Sequence, residues 1–229
     1  MSETSGDFRR GVLDIAPVLV AATPIGLLWG TLAAGKGLSP LEAGLLSGSV
    51  FAGAAQFVAI ELWRDPVPWL LLTVTAFIVN VRHVLMGASL SRHLSGINHR
   101  WYPIMMFLLV DESWAFSERR AQSGQVTLAY YLGLSLPMWL AWTSSSIAGA
   151  IIGRSFGDPA ALGLDFAFSA LFIGLIAGFW KGPRTGAVLG ASAAAAALVK
   201  HYLPGAWYIV VGGLAGVAVA ALLHRQEQS

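Results

Sequence analysis

The sequence has no cysteine and few charged residues. Asp, Glu, Lys and Arg make up only 11% of its 229 residues, whereas they make up about 25% of an ordinary soluble domain. The absence of cysteine excludes disulfide bonds and thiolate metal sites. The scarcity of charge excludes a soluble globular protein, because too few charged residues are present to cover a surface exposed to water. A hydrophobic content of 56% and a mean hydropathy of +0.67 indicate an integral membrane protein.

Several functional signatures are also missing. The sequence has no Walker-type glycine loop for binding nucleotide phosphates. Its basic residues stand singly or in pairs between apolar segments, and the net charge is only +2. Membrane topology requires this arrangement, whereas nucleic-acid binding requires a basic patch. We therefore expect no cofactor, no metal and no nucleic-acid partner, with the lipid bilayer as the surroundings of the chain.

The hydrophobic residues form helix-sized runs and not the alternating ten-residue units of an outer-membrane barrel. This pattern predicts an all-α fold, namely a polytopic transmembrane helical bundle of about 7–8 segments in one transmembrane domain, residues 1–229. The predicted segments are 11–34, 40–62, 67–90, 101–117, 125–152, 160–180, 184–199 and 204–223.

Counting basic residues on each side predicts the orientation. If every segment crosses the bilayer and the N-terminus is cytoplasmic, eight Lys or Arg residues lie inside and five lie outside. Basic residues concentrate on the cytoplasmic side, so this excess favours a cytoplasmic N-terminus. The same scheme places Arg64 inside and both Arg92 and Arg100 outside.

Three segments are poor membrane spans. Segment 40–62 is rich in Ser, Gly and Ala, and segment 184–199 is short and nearly all alanine. Segment 101–117 has only a short apolar part before an acidic pair. A helical span normally needs about 20 apolar residues, and short or glycine-interrupted segments are typical of broken helices around a transport site. We predict that some of these segments are broken or re-entrant.

Asn80, Arg82 and His83 interrupt an otherwise apolar segment. At about 100° per residue, Asn80 and His83 share one face of a helix, whereas Arg82 points about 200° away from Asn80. An ionisable side chain at mid-membrane costs about 2.5–3.5 kcal/mol. Either these residues line a cavity, or Arg82 snorkels to the interface and the other two only bond neighbouring helices.

Gln56 and the adjacent Asp111 and Glu112 leave two interpretations open. Gln56 continues a small-residue stripe with Gly44 and Gly48. Such a stripe is typical of a close helix contact, but an amide requires partners for both of its polar atoms. The carboxylates either end their segment in water, because more charged residues follow, or place one acid at depth for proton exchange.

Three strings, in this order and at this spacing, point to a family: SPLEAGLLSGSVFAGAAQFVAIEL, NVRHVLMGASLS and VDESWAFS. With them the chain resembles the AzlC-type branched-chain amino-acid permeases over its whole length, and the similarity extends to LDFAFSALFIGLIAG. The resemblance implies a bacterial inner-membrane exporter of branched-chain amino acids, paired with a small membrane subunit of the AzlD type. The family's motif positions in this sequence are Ser49, Phe51, Ala54, Gln56, Asn80, Arg82, His83, Asp111, Glu112 and Asp165.

These positions support a hypothesis for binding a zwitterionic amino acid. Arg82, or the N-terminus of a broken helix, would bind the substrate carboxylate, and Asp111 would bind its ammonium group. The other substrate-binding candidates are Ser49, Gln56 and Asn80 as hydrogen-bonding groups and Phe51 as part of an apolar pocket. Export against a gradient needs an energy source, and His83, Asp111 and Glu112 are the candidates for proton coupling.

Two other classes of function remain open. One is a non-transporting membrane subunit that assists assembly. The other is an intramembrane hydrolase, because GASLSRH (residues 87–93) is faintly similar to the Gly-x-Ser helix start of intramembrane serine proteases. That string lacks the following glycine, and no deep histidine stands in a later segment. We therefore do not expect an enzyme.

Overall fold

The computed structural model describes residues 2–153, 173, 177, 180, 182–203 and 207–228. All regular secondary structure in these residues is helical, which confirms the predicted all-α fold. Most of predicted segment 160–180, including Asp165, lies outside the described residues. The helices are α1 (Ser2–Gly35), α2 (Pro40–Val50), α3 (Gly53–Leu62), α4 (Trp69–Asn80), α5 (Arg82–Ser91), α6 (Tyr102–Phe107), α7 (Asp111–Ala121), α8 (Leu128–Gly153), α9 (Pro183–Tyr202) and α10 (Trp207–Gln228), with a 3-10 turn at His99–Trp101.

The chain divides into two compact units. The first combines Met1–Val67 with Val79–Asp165, and the second combines Pro68–Ile78 with Phe166–Ser229. In the second unit, α9 and α10 pack through small residues. A Cβ atom added to Gly212 would lie 3.0 Å from the Cβ atom of Ala196. Every predicted site residue in the described part of the chain belongs to the first unit.

Two helical stretches in the described residues, Gly6–Gly35 and Trp69–Ser91, are long and apolar enough to cross a membrane. The first of these lies within α1, which runs parallel to α8 and touches it along most of its length. Gly11 lies against the Tyr130 carbonyl near the start of both helices, and Gly30 lies against the Ser146 carbonyl near their ends. At both places an added Cβ atom would collide with backbone. The helices approach this closely because glycine has no side chain, as in other membrane helix pairs.

The second predicted segment is broken into α2 and α3, which we call the first hairpin. A capping box starts α2: Ser39 Oγ accepts the Glu42 N–H (3.1 Å), and the Glu42 carboxylate accepts the Ser39 N–H (2.7 Å). The helix ends at Phe51, whose left-handed φ of 34° is unusual for a bulky residue. Gln56 Nε2 then donates to Ser47 Oγ at 3.0 Å. Because these residues would lie about 13 Å apart along a straight helix, the chain must fold back between them.

The fourth predicted segment is also broken, and α6 and α7 form what we call the second hairpin. Its first arm, α6, runs antiparallel to α5. Tyr102 OH donates to the Leu94 carbonyl at 3.2 Å, just after α5. Met106, four residues later, lies against Gly87, seven residues earlier than Leu94.

The second arm, α7, runs parallel to α5. Asp111 pairs with Arg82 at the start of both helices, and Glu118 pairs with His93 towards their ends. The chain therefore reverses at 108–110. The prediction of broken segments is confirmed for both hairpins, whereas segment 184–199 forms the unbroken helix α9.

The hairpins change which loops share an end of the first unit. Arg120 Nη2 lies 3.5 Å from Asp7 Oδ1, so the end of α7 meets the start of α1. The loop after α5 lies at this same end, because His93 contacts α7 there. The prediction that placed Arg92 and Arg100 on the side opposite the N-terminus is wrong, because it treated every segment as a full crossing.

The reversal of the first hairpin likewise returns Arg64 to the end that carries Lys36. Apart from Arg82, the described basic residues of the first unit then divide six to two. The six at the N-terminal end are Arg9, Arg10, Arg92, Arg100, Arg119 and Arg120.

Candidate functional site

An ion pair joins the start of α5 to the start of α7. Arg82 Nη1 lies 2.7 Å from Asp111 Oδ2, while 39% of the Arg82 side chain and 50% of the Asp111 side chain remain exposed. Asp111 is the first residue of α7, where the positive end of the helix dipole stabilises a carboxylate. The structure thus brings together two predicted site residues from different segments, and both keep open faces.

Two polar atoms of residues 80–82 have no hydrogen-bond partner among the residues that the structure describes. They are Arg82 Nε and Asn80 Oδ1, and both are shielded from solvent. His83 Nδ1 lies 3.1 Å from the Asn80 backbone carbonyl oxygen, so Asn80 and His83 are neighbours, as helix periodicity predicts. A buried polar atom without a partner marks a place where water, an ion or a ligand can complete the hydrogen bonding.

Asp111 and Glu112 begin a helix. The Val110 N–H donates to Ser113 Oγ at 3.0 Å, and α7 continues to Ala121. The chain is therefore helical after these carboxylates, and both interpretations given for them stay predictions. Glu112 is the second residue of α7 and is half-buried, beside the ion-paired Asp111.

Gln56 is 1% exposed, and both polar atoms of its amide are bonded within the protein. Nε2 donates to Ser47 Oγ, and Oε1 accepts from Trp142 Nε1 at 2.8 Å. Ser47 Oγ in turn donates to Ser146 Oγ at 2.8 Å. This buried network fastens the first hairpin to α8. It also explains how an amide can stand in a contact between small residues.

Phe51 and Ser49 lie on either side of the end of α2 but face differently. Phe51 is 3% exposed at the tip of the first hairpin. Ser49 lies on the exposed face of α2, where its hydroxyl donates to the Leu45 carbonyl at 2.6 Å. The candidates therefore form two groups. One is in the first hairpin (Ser49, Phe51 and Gln56), and the other is at the starts of α5 and α7 (Asn80, Arg82, His83, Asp111 and Glu112).

A second polar contact between α5 and α7 did not stand out in the sequence. The Glu118 carboxylate accepts a hydrogen bond from Ser89 Oγ and lies 3.3 Å from His93 Nε2. Ser89 follows Arg82 by seven residues and Glu118 follows Asp111 by seven, which is two helical turns. That matched spacing was the available signal, but it becomes visible only once α5 and α7 are known to be parallel.

The arrangement at the starts of α5 and α7 offers a guanidinium, a carboxylate and an amide oxygen within one small region. These groups can bind opposite charges side by side. Among the residues that the structure describes, no group of three His, Asp or Glu side chains is placed to hold a metal ion.

Comparison with known proteins places the chain in a family. The family model described as AzlC protein matches residues 17–156. An uncharacterized membrane protein of Archaeoglobus fulgidus is 31% identical over 87% of both chains. The inner membrane protein YgaZ of Escherichia coli is 29% identical over 77% of this chain and 75% of its own length. The branched-chain amino acid transport protein AzlC of Bacillus subtilis is 26% identical over 95% of this chain and 85% of its own length. No solved structure matches. This chain is a membrane protein that belongs to the AzlC family.

Proposed function

We propose that this protein is a secondary transporter that exports amino acids across the bacterial cytoplasmic membrane, with leucine, isoleucine and valine as substrates. The Bacillus subtilis relative is named as a branched-chain amino acid transport protein, and the Escherichia coli relative as an inner membrane protein. The structural observation that carries the proposal is the half-exposed ion pair between Arg82 and Asp111.

This ion pair suits a zwitterionic ligand. A free amino acid entering between the two side chains would replace one ion pair within the protein by two between protein and substrate. Its carboxylate would bind Arg82 and its ammonium group Asp111, so every charge would keep a partner of opposite sign. Asn80 Oδ1 and Arg82 Nε supply an unused acceptor and donor for the same ligand.

The two hairpins approach each other along α8, which supports a site between their tips. The first hairpin contacts α8 at Trp142. The second contacts it nearer its start, where Tyr131 OH donates to the Met105 carbonyl at 2.6 Å. These two positions on α8 are about 16 Å apart, and α6 extends about one further turn from Met105 towards its tip. We therefore propose that the apolar side chain of the substrate contacts Phe51, at the tip of the first hairpin.

Two of the substrate-binding candidates would have to exchange a hydrogen bond in order to act. Gln56 would release Ser47 or Trp142, and Ser49 would rotate away from the Leu45 carbonyl. We keep both in the proposed site, behind the ion pair in importance.

Proton coupling is the energy source that we propose. Asp111 changes partner when substrate enters, and Glu112 and His83 lie next to the changing pair. Protonation of Asp111 would remove the negative charge that binds the substrate ammonium group and so favour release, and Glu112 and His83 are the neighbouring groups that could deliver the proton. The coupling therefore belongs to the same small region as the binding.

We further propose that residues 1–229 act as one transporter domain together with a small AzlD-type membrane subunit. The N-terminus would be cytoplasmic, because six of the eight basic residues counted above lie at that end of the first unit.

Reconstitution into liposomes, with and without the small subunit, tests this function. Leucine, isoleucine or valine loaded inside should leave when a proton gradient is imposed. We expect Asp111→Asn and Arg82→Gln to reduce export about tenfold to a hundredfold, because each removes a charged hydrogen bond to the substrate. Arg100→Gln, on an exposed residue, is the control.

Three results would contradict separate parts of the proposal. Absence of flux for all three substrates with the subunit present would favour the non-transporting assembly subunit. Normal export by both Asp111→Asn and Gln56→Ala would contradict the proposed substrate-binding site. Export that does not depend on the pH gradient would contradict proton coupling but not the proposed binding site.

A further inference from the structure

The two hairpins are attached to the rest of the first unit by different kinds of contact. The first hairpin is held to α8 by the buried Gln56 network. The partly buried Trp139 Nε1 adds a hydrogen bond to the Gly48 carbonyl at 2.9 Å. The second hairpin is held to α5 by partly exposed charged groups. His93 and Glu118 retain 34% and 23% side-chain exposure.

The contacts between α5 and α7 form a seam two helical turns long. Arg82 and Asp111 close its first end. Glu118 closes the other by bridging Ser89 and His93. Both contacts lie on one face of each helix, because seven residues make two turns.

This seam is suited to opening and closing. Partly exposed ion pairs contribute little free energy, so the seam can separate without a large penalty. Elsewhere the second hairpin has other attachments: Met105 accepts a hydrogen bond from buried Tyr131, and Arg120 pairs with Asp7. The second hairpin can therefore stay attached to α8 and α1 while its contacts with α5 break.

We propose that Glu118 is a positioning residue that latches the second hairpin against α5, and that release of this latch opens the path to Arg82 and Asp111 from the N-terminal end of the first unit. The purpose of the latch rests on the proposed transport function, but the opening and closing of the seam do not depend on it. When Glu118 releases Ser89 and His93, α5 and α7 separate beginning at the Glu118 end of the seam. The Arg82–Asp111 pair is the last contact of the seam to part, so opening adds a route to this half-exposed pair from the N-terminal end of the first unit.

The absence of native cysteine makes the latch directly testable. Gly87→Cys with Met106→Cys is the pair chosen to link α5 to α6, because these residues are in contact: an added Cβ atom on Gly87 lies 3.1 Å from Met106 Sδ. These positions leave the seam residues intact. We expect oxidation with copper phenanthroline to stop leucine export and reduction to restore it. Gly48→Cys with Thr143→Cys is the matched control, since an added Cβ atom on Gly48 lies 3.6 Å from Thr143 Cγ2. It links the first hairpin to α8, and we expect export to continue after oxidation.

A second measurement does not depend on transport. A single cysteine at Val110, in the tip of the second hairpin, is labelled with a membrane-impermeant maleimide. We expect Glu118→Ala to speed labelling about fivefold, which corresponds to the loss of one such contact. Glu118→Asp should restore the slow rate. Labelling of Ala52→Cys, at the tip of the first hairpin, should not change.

The outcomes separate the latch from the transport function. Equal labelling of Val110→Cys with and without Glu118→Ala, or full export by the oxidised Gly87→Cys/Met106→Cys protein, overturns the latch. If labelling responds as expected but the reduced protein moves no amino acid, the latch stands and the proposed substrate is wrong.

Discussion

At the scale of single residues, the site combines groups that are held firmly with groups that are left open. Gln56 has both amide atoms bonded and almost no exposure. Arg82 and Asp111 are paired but half-exposed, and Arg82 Nε has no partner. An exposed pair of this kind contributes only about 0–1 kcal/mol to stability. Changes at Arg82 or Asp111 should therefore affect transport and leave stability unchanged, whereas changes at Gln56 should lower stability.

Arg82→Lys tests one of the half-exposed positions. Lysine keeps the positive charge beside Asp111 but lacks the planar fork and the Nε donor. We expect leucine to be bound about tenfold more weakly, with the midpoint of thermal unfolding unchanged. The measurement is the leucine concentration that gives half-maximal export from proteoliposomes. Arg100→Lys, at an exposed loop position, should behave as wild type. A normal half-maximal concentration for Arg82→Lys would mean that only charge matters there.

Gln56→Met tests the firmly held kind. The substitution keeps the length of the side chain but leaves Trp142 Nε1 without its acceptor and Ser47 Oγ without one of its donors. We expect a loss of about 1–3 kcal/mol in the free energy of unfolding, measured by thermal unfolding in detergent. Ser49→Ala is the control, because that hydroxyl is exposed and bonds its own helix. Equal unfolding temperatures for the two variants would contradict the importance of the network.

At the scale of helices, glycine decides which pairs can meet. The α1–α8 pair brings backbone against backbone at Gly11, Gly30 and Gly149. The hairpins use a different device, because each is broken by non-helical backbone at its tip: the left-handed Phe51 in the first, and the extended Val110 in the second. A hydropathy profile registers neither feature, since glycine and a local change of backbone angle alter average hydrophobicity very little.

Gly30→Ala is the corresponding prediction for an element. The new methyl group would meet the Ser146 carbonyl, which is backbone and cannot rotate away. We expect the helices to move apart, with a loss of about 1–3 kcal/mol from overpacking. Thermal unfolding in detergent measures it. In Gly6→Ala the added atom meets nothing within 4 Å, so stability should be unchanged or slightly higher because alanine favours helix. Similar unfolding temperatures for both variants would contradict the close contact.

At the scale of the whole molecule, the hairpins determine the topology and the charge asymmetry. With each hairpin entering and leaving at the same end, basic residues of the first unit concentrate at one end, six against two. For the same eight residues, a scheme in which every segment crosses the bilayer gives five against three, because it moves Arg92 and Arg100 away from the N-terminal end and Arg64 towards it. The corrected arrangement agrees better with the rule that basic residues stay in the cytoplasm.

Single-cysteine labelling of intact cells tests the topology. We expect Lys36→Cys and Arg64→Cys to react with an impermeant maleimide added outside. Arg100→Cys and Gln122→Cys should react only after the cells are opened. If every segment crossed the bilayer, Lys36→Cys and Arg64→Cys would label from opposite sides, as would Arg100→Cys and Gln122→Cys. The wild-type chain, which lacks cysteine, provides the unlabelled background.

The sequence by itself determined the class of protein and the residues that deserved attention. Scarce charge and long apolar runs require helices in a bilayer, because only there are backbone and side chains both satisfied. Polar and ionisable side chains are rare in such runs, which drew attention to Asn80, Arg82, His83 and Asp111. Poor spans also indicated where helices would break, and two of the three did so.

Only the tertiary structure decided which of those residues meet. The Arg82–Asp111 pair and the bridge from Glu118 depend on α7 running parallel to α5, and that direction depends on a reversal at 108–110. Helix periodicity relates residues within one helix, but it carries no information about whether the chain continues across the bilayer or turns back. The partners of Gln56 stayed hidden for the same reason, because Trp142 lies 86 residues further along the chain.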